Sequence, residues 1–330
     1  MLKQTCLALA WLLSAPAWAQ SEAAPALADV PDEVRIVGQL PGPGLWKISK
    51  GNNVLWVFAT YGPLPAKMQW RSKQVETIVA KSQQFLAPPS SGTTVSVWTG
   101  IRLLPHVIGM RKNPGGAMLR DVVPSDVYAR WLVLKAKYGI SDAPEKERPI
   151  FAAETLYRAG LQQAGLLGGG NEVQNAIWGL VKKHKIKVMY SNVKLELTDP
   201  ATTLKQFKKG SIDDAACFAK TIERLETDID AMRVRANAWA KGDLAVIRSL
   251  DFADREGACN NAMESSAAVR DGLGFEDAKR RMRKLWLEAA ENALANNTTT
   301  FAMLSLQSIL KGDDMIAALQ AKGYTVEAPE

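Results

Sequence analysis

Apolar and polar positions alternate in register with a small set of strands and helices. Val54, Leu55, Trp56, Val57 and Phe58 form an unbroken apolar run whose β-branched and aromatic content predicts a buried strand. Gly51, Asn52 and Asn53 before it are turn residues, and Leu45–Ser49 reads as the partner strand of a hairpin. Helical spacing predicts a helix over Arg71–Ser82, with Val75, Ile78 and Val79 on one face. Gln84–Ala87 reads as a short strand stopped by Pro88-Pro89, and Thr93–Trp98 as another, with Val95 and Val97 alternating against Ser96 and Trp98. Further helices are predicted from Pro124 to Tyr138, Pro149 to Ala164 and Glu172 to Lys183, with Gly165–Gly170 as a turn and Ile186–Tyr190 as a strand. Asp213–Ala240 reads as the longest helix, burying Ile222, Leu225, Ile229, Met232, Ala236 and Trp239 along one seam, with Glu223, Glu226, Asp228 and Asp230 on its polar side. Gly242 ends or kinks it, and Asp243–Leu250 resumes it. Phe275–Asn296 is helical. Thr298–Leu306 (strand), Asp313–Lys322 (helix) and Gly323–Val326 (strand) close the chain.

The front of the chain carries a different pattern. Lys3, the apolar Leu7–Leu13 and the small-x-small step Ala17-Trp18-Ala19 read as a secretory signal over residues 1–19, giving export to the periplasm or medium. No Cys follows the cut, so a lipid anchor is not expected, and no later segment is apolar enough to span a bilayer. Residues 20–43 are rich in Ala, Pro and Gly and read as a mobile lead-in with a short strand at Val34–Val37. Residues 44–330 are then one α/β domain, containing a helical subdomain over 213–296. The 330 residues are 47% hydrophobic, ample for a sizeable core.

Charge and cysteines narrow the partners. The formal net charge of +7 is modest for this length. Its densest cluster, Lys182, Lys183, Lys185 and Lys187, lacks the interleaved aromatics or motif of a nucleic-acid site, so nucleic acid is not an expected partner. It reads as a solvated helix end running into a strand, with weak attraction to anionic lipid or polysaccharide left open. Beyond Cys6 of the signal, the chain has Cys217 and Cys259. An oxidising compartment favours one disulfide between them over two buried thiols. Its loop of about 40 residues corresponds to about 4 kcal/mol by chain entropy.

The strand ending Ala59-Thr60-Tyr61-Gly62, the Leu64-Pro65 step and the helix through Trp70, Arg71, Val75 and Ile78 resemble the TraB/GumN family, which includes the Tiki-type proteins. The closing block through Gly323-Tyr324-Thr325-Val326 resembles the family's C-terminal end, so the likeness runs from Leu45 to Val326. It implies a mixed central sheet that joins the N-terminal hairpin to the C-terminal strands, flanked by helices. In Tiki-like members two Gly-x-x-His motifs and a Glu are thought to hold a hydrolytic metal. Here Ala59 and Gly62 stand at the Gly and His of the first motif, Pro88 at the Glu, and Ser305 and Ser308 at the Gly and His of the second. Of the family's Arg-Asn-x-x-Trp motif only Trp286 is retained, with Met282 and Arg283 at the other positions.

A hydrolytic metal needs about three protein N/O ligands and an open position, and Gly62, Pro88 and Ser308 supply none. Replacement ligands would have to include His106, placed in a loop after Pro105, and His184 in the basic cluster, whose spacing matches no metal motif. No Gly-x-Ser-x-Gly elbow is present, and the Asp213-Asp214 and Asp313-Asp314 pairs read as helix N-terminal acids. The expectation is therefore no catalytic residue, no metal and no cofactor. A polar cleft lined by Thr60, Tyr61, Gly62, Ser305, Gln307 and Ser308 would suit sugar or peptide backbone. The function expected is that of an exported, catalytically degenerate binding or assembly factor of the cell envelope. Its partner would be an envelope protein, a peptide or a polysaccharide, with a link to exopolysaccharide implied by the GumN name. The alternatives are a metal-dependent hydrolase with relocated ligands and a purely structural envelope protein.

Overall fold

The β-hairpin at the front of the fold follows from its turn. Gly51 and Asn52 form a two-residue loop between Lys50 and Asn53, and only Gly51 takes a positive φ, +61°, the pattern that matches strand twist. The computed structural model describes residues 43–92, 96–195, 199–249, 255–273, 275–310 and 315–329. The signal, nearly all of the lead-in with its strand at 34–37, and the Asp313-Asp314 pair lie outside the described residues.

In chain order, β1 (Leu45–Lys50) and β2 (Asn53–Thr60) are followed by α1 (Lys73–Lys81), β3 (Gln84–Leu86), β4 (Ser90–Gly92), α2 (Val97–Val107), α3 (Leu119–Val122), α4 (Ser125–Lys137), α5 (Pro149–Gln163) and α6 (Gly169–Lys183). Then come β5 (Lys187–Met189), β6 (Asn192–Lys194), α7 (Pro200–Lys209), α8 (Ala215–Thr227), α9 (Ile229–Lys241), α10 (Leu244–Ser249), α11 (Arg255–Ser265), α12 (Ala267–Leu273) and α13 (Phe275–Asn296). The last elements are β7 (Thr299–Ser305), α14 (Leu306–Leu310), α15 (Met315–Ala321) and β8 (Thr325–Glu327).

The six-stranded sheet has the order β5-β3-β7-β2-β1-β8. Strands β5, β3, β7 and β2 run parallel, while β1 is antiparallel to both β2 and β8, so the sheet is mixed. The two ends of the chain close it, as the family resemblance implies. Central parallel strands need apolar side chains on both faces, and Phe301, Ala302, Met303 and Leu304 of β7 are all buried. Helix α1 packs on β7, α6 on β2, and α13 on β2 and β3. At the start of α6, a Cβ on Gly169 would lie 1.9 Å from the Pro65 carbonyl oxygen, so only glycine permits this approach to the Leu64-Pro65 step.

A second core is helical. Trp131 and Leu134 of α4, Ala152 and Leu156 of α5, Phe218 and Ile222 of α8 and Ala262 of α11 meet there. The Cys217–Cys259 disulfide joins α8 to α11. Glu145 sits at its edge and accepts from Trp131 Nε1 at 2.9 Å, Lys135 Nζ at 2.8 Å and Tyr128 Oη at 3.1 Å.

Five expectations about the elements need correction. Residues 93–95 lie outside the described residues, but Val97 and Trp98 open a helix instead of ending a strand, because the Ser96 hydroxyl accepts from Thr99 N and caps it. His106 consequently lies in the last turn of α2, not in a loop. Gly169 and Gly170 belong to the first turn of α6. The span 213–240 is two helices broken at Asp228, and the longest helix among the described residues is α13, of 22 residues. Asp228 is buried instead of solvated, and its turn inward is what the site below is built on.

Candidate functional site

Parallel pairing of β2 and β7 puts Thr60 opposite Ser305. Both strands end there, and the chain turns away as Tyr61-Gly62 on one side and Leu306-Gln307 on the other. Thr60 Oγ1 donates to Leu304 O at 3.2 Å, which ties the two ends together. Trp239 of α9 fixes the floor from the helical side: its Nε1 donates to Ala59 O at 2.8 Å, and its ring meets Phe58 edge-on at 6.1 Å.

A cavity of about 410 Å³ opens above these strand ends. Thr60, Tyr61, Gly62, Ser305 and Gln307 all line it, so the structure gathers five of the six residues that the sequence places together. Ser308 lies exposed on α14 and does not line it. Among the described residues nothing comes within 4 Å of where a Gly62 Cβ would be, so this position is not crowded into glycine.

The opposite wall is cationic, and sequence reasoning missed it. Arg224 of α8 and Arg235 of α9 line the cavity together with Arg248 and Glu256. Asp228, at the break between α8 and α9, receives Arg235 Nη1 at 3.0 Å and a second, shorter bond from Nη2. Arg224 Nε approaches the same carboxylate at 3.4 Å. All three residues are at most 5% exposed. Two guanidiniums thus converge on the Asp228 carboxylate at the edge of the pocket. The available clue was Arg224 four residues before Asp228, a spacing that is ordinarily a solvated pair.

Titration sharpens this picture. Burial pushes the Tyr61 phenol up to about 12, although Arg235 and Arg224 pull it back. It is therefore a neutral hydrogen-bonding group at physiological pH. Burial likewise raises the Asp228 carboxyl, opposed first by Arg235 and then by Arg224.

The residues present do not fit the hydrolytic metal that the Tiki-like pattern implies. Among the described residues Glu256 is the one carboxylate lining the cavity, and no histidine lines it. Pro88 is not part of the lining, and neither His106 on α2 nor His184 at the end of α6 reaches it. Among the described residues no three His, Cys, Asp or Glu side chains group into a ligand set. The hydroxyls of Ser305 and Ser249 have no histidine base in the lining. What remains is a hydroxyl- and amide-bearing rim, an arginine wall and an apolar patch of Ile247, Leu306 and Leu310.

A model of the TraB/PrgY/gumN family matches residues 44–328, from the start of β1 to just past β8. No curated protein and no solved structure matches the chain.

Proposed function

Since the chain belongs to the TraB/PrgY/gumN family, we propose that it is a non-catalytic binding member of that family, whose cavity takes an anionic, hydroxyl-bearing ligand of the acidic-sugar class. The observation that carries this reading is the Arg224–Asp228–Arg235 group at the wall of the cavity. Guanidinium is the side chain best suited to a carboxylate, which it can hold through two parallel hydrogen bonds. Thr60, Tyr61, Ser305 and Gln307 supply donors and acceptors for sugar hydroxyls, and Leu306 and Leu310 offer an apolar wall for a ring face. A base or metal ligand at Gly62 and Ser308 would favour hydrolysis, and these positions supply neither. Export to the periplasm and service as an envelope binding or assembly factor, linked to exopolysaccharide, complete the reading. No described helix is long and apolar enough to cross a membrane.

Isothermal titration with a uronic-acid oligosaccharide and its neutral counterpart tests it. The acidic ligand should bind, and the neutral one at least tenfold more weakly. Arg248→Gln, at an exposed position on the rim, should weaken the acidic ligand about fivefold, the size of one solvent-screened charged hydrogen bond. Equal binding of both sugars, or of neither, would reject the reading.

A further inference from the structure

Helix α2 is turned inside out. Its partly buried positions, Thr99, Leu103 and His106, lie toward α7, against which it packs. The opposite face carries Trp98, 76% exposed, Ile101 at 52%, Leu104 at 57% and Ile108 at 73%. At 100° per residue these four, with Pro105, fall within roughly a third of the helix circumference. A surface helix ordinarily buries such a stripe, and four large apolar side chains in three turns form a patch of the kind that marks an interaction site.

The surroundings of this stripe are basic. No Asp or Glu occurs in the sequence from Thr77 to Arg120. Arg102 and Lys112 are exposed beside the stripe, and α7 contributes exposed Lys205 and Lys209. Lys208 of α7 donates to Ile108 O at 2.8 Å, fastening the end of α2 to the basic helix. Arg148, buried, in turn holds the end of α7 through Phe207 O at 2.8 Å, Lys208 O at 3.0 Å and Gly210 O at 3.0 Å. The apolar stripe is thus presented on a supported pair of helices, not on a loose arm.

We propose that α2 is a membrane-surface helix, which seats the protein on an anionic lipid bilayer. Its 11 residues span about 16 Å, far short of the ~30 Å hydrocarbon core, so it lies in the interface and does not cross it. A tryptophan at one end, aliphatic side chains along the face and Lys or Arg at the margins are the combination that this mode of binding requires. Charge decides between occupants. Glu147 is already paired with Arg111, and the exposed Arg102, Lys112, Lys205 and Lys209 complement phosphate head groups, whereas a second copy of this chain would bring the same positive flank against itself.

Flotation of the purified full chain with phosphatidylglycerol-containing vesicles, and with pure phosphatidylcholine vesicles, tests this. The protein should float with the anionic vesicles, and raising the salt concentration should weaken the association. The triple variant Trp98→Ser, Ile101→Ser, Ile108→Ser should lose at least tenfold in partitioning while keeping its thermal midpoint, since all three side chains already face solvent. If that variant fails to fold, the double variant Lys205→Gln, Lys209→Gln serves instead and should lose several-fold on anionic vesicles only. Undiminished binding by the variants, or equal partitioning onto both vesicle types, would overturn the proposal. So would a concentration-dependent dimer abolished by the triple substitution, which would assign the face to a second copy.

Discussion

Replacing Asp228 by Asn removes a negative charge that Arg224 and Arg235 share, while preserving shape. The three residues are 3%, 5% and 1% exposed, so the guanidiniums left behind gain little from water. Removing one partner of a buried pair costs about 3–5 kcal/mol. For a domain of this size each kcal/mol moves the midpoint by about 2–4 °C, so the variant should melt of the order of 10 °C lower. The site makes a second demand. Without Asp228 the arginine wall becomes more positive, so a carboxylate-bearing sugar should bind the variant more tightly than it binds the native protein. At a hundredfold excess over Kd that ligand would restore about 2.7 kcal/mol. Urea unfolding with and without glucuronate, against glucose as the neutral control, reads both effects. A loss below about 1 kcal/mol would refute the buried triad. Equal rescue by glucose would refute its role in anion binding.

The Cys217–Cys259 bridge closes a separation of 42 residues, and chain entropy assigns it about 4 kcal/mol. Cys217→Ala with Cys259→Ala should lose that much under oxidising conditions and nothing further in reductant; an unchanged midpoint would show that the bridge does not form. Gly169→Ala should destabilise by about 1–3 kcal/mol or more, because its new methyl meets the Pro65 carbonyl; a neutral result by urea unfolding would deny that close approach. The Glu145 carboxyl is raised by burial but lowered overall by Lys135, Trp131 and Tyr128. Its contribution is therefore complete above its ordinary value of 4.5 and is lost as pH falls through the lower folded value. The stability gap between native protein and Glu145→Gln, followed by urea unfolding from pH 7 downward, should close only below about pH 4.5. Tyr61→Phe should weaken the acidic ligand about fivefold, the value of one hydrogen bond, with no change in ligand affinity between pH 7 and 10.

Much of the frame was legible because it is written locally. Val54–Phe58 could be read as a buried strand from its composition, and Gly51-Asn52 as its turn. Five cleft residues followed once the ends of β2 and β7 were placed side by side, which the resemblance supplied and periodicity did not. What escaped was decided by tertiary contacts. Asp228 carries no local helix-breaking signal: Thr227-Asp228-Ile229 contains neither Gly nor Pro. Its helix breaks where the carboxylate turns inward to Arg235 and Arg224. The arginine wall escaped for the same reason, since it meets Thr60 and Tyr61 from more than 160 positions away in sequence. Helix α2 was hidden by a short alternation around Val95 and Val97 that mimics a strand, and its outward apolar face inverts the usual rule for a surface helix.

A crystal of the protein soaked with a uronic-acid disaccharide would test the binding reading most directly. The expected density places the sugar carboxylate within hydrogen-bonding distance of Arg235 or Arg248, with its hydroxyls between Thr60 and Gln307. An empty cavity at saturating ligand, or a coordinated metal ion beside Gly62 and Ser305, would contradict it.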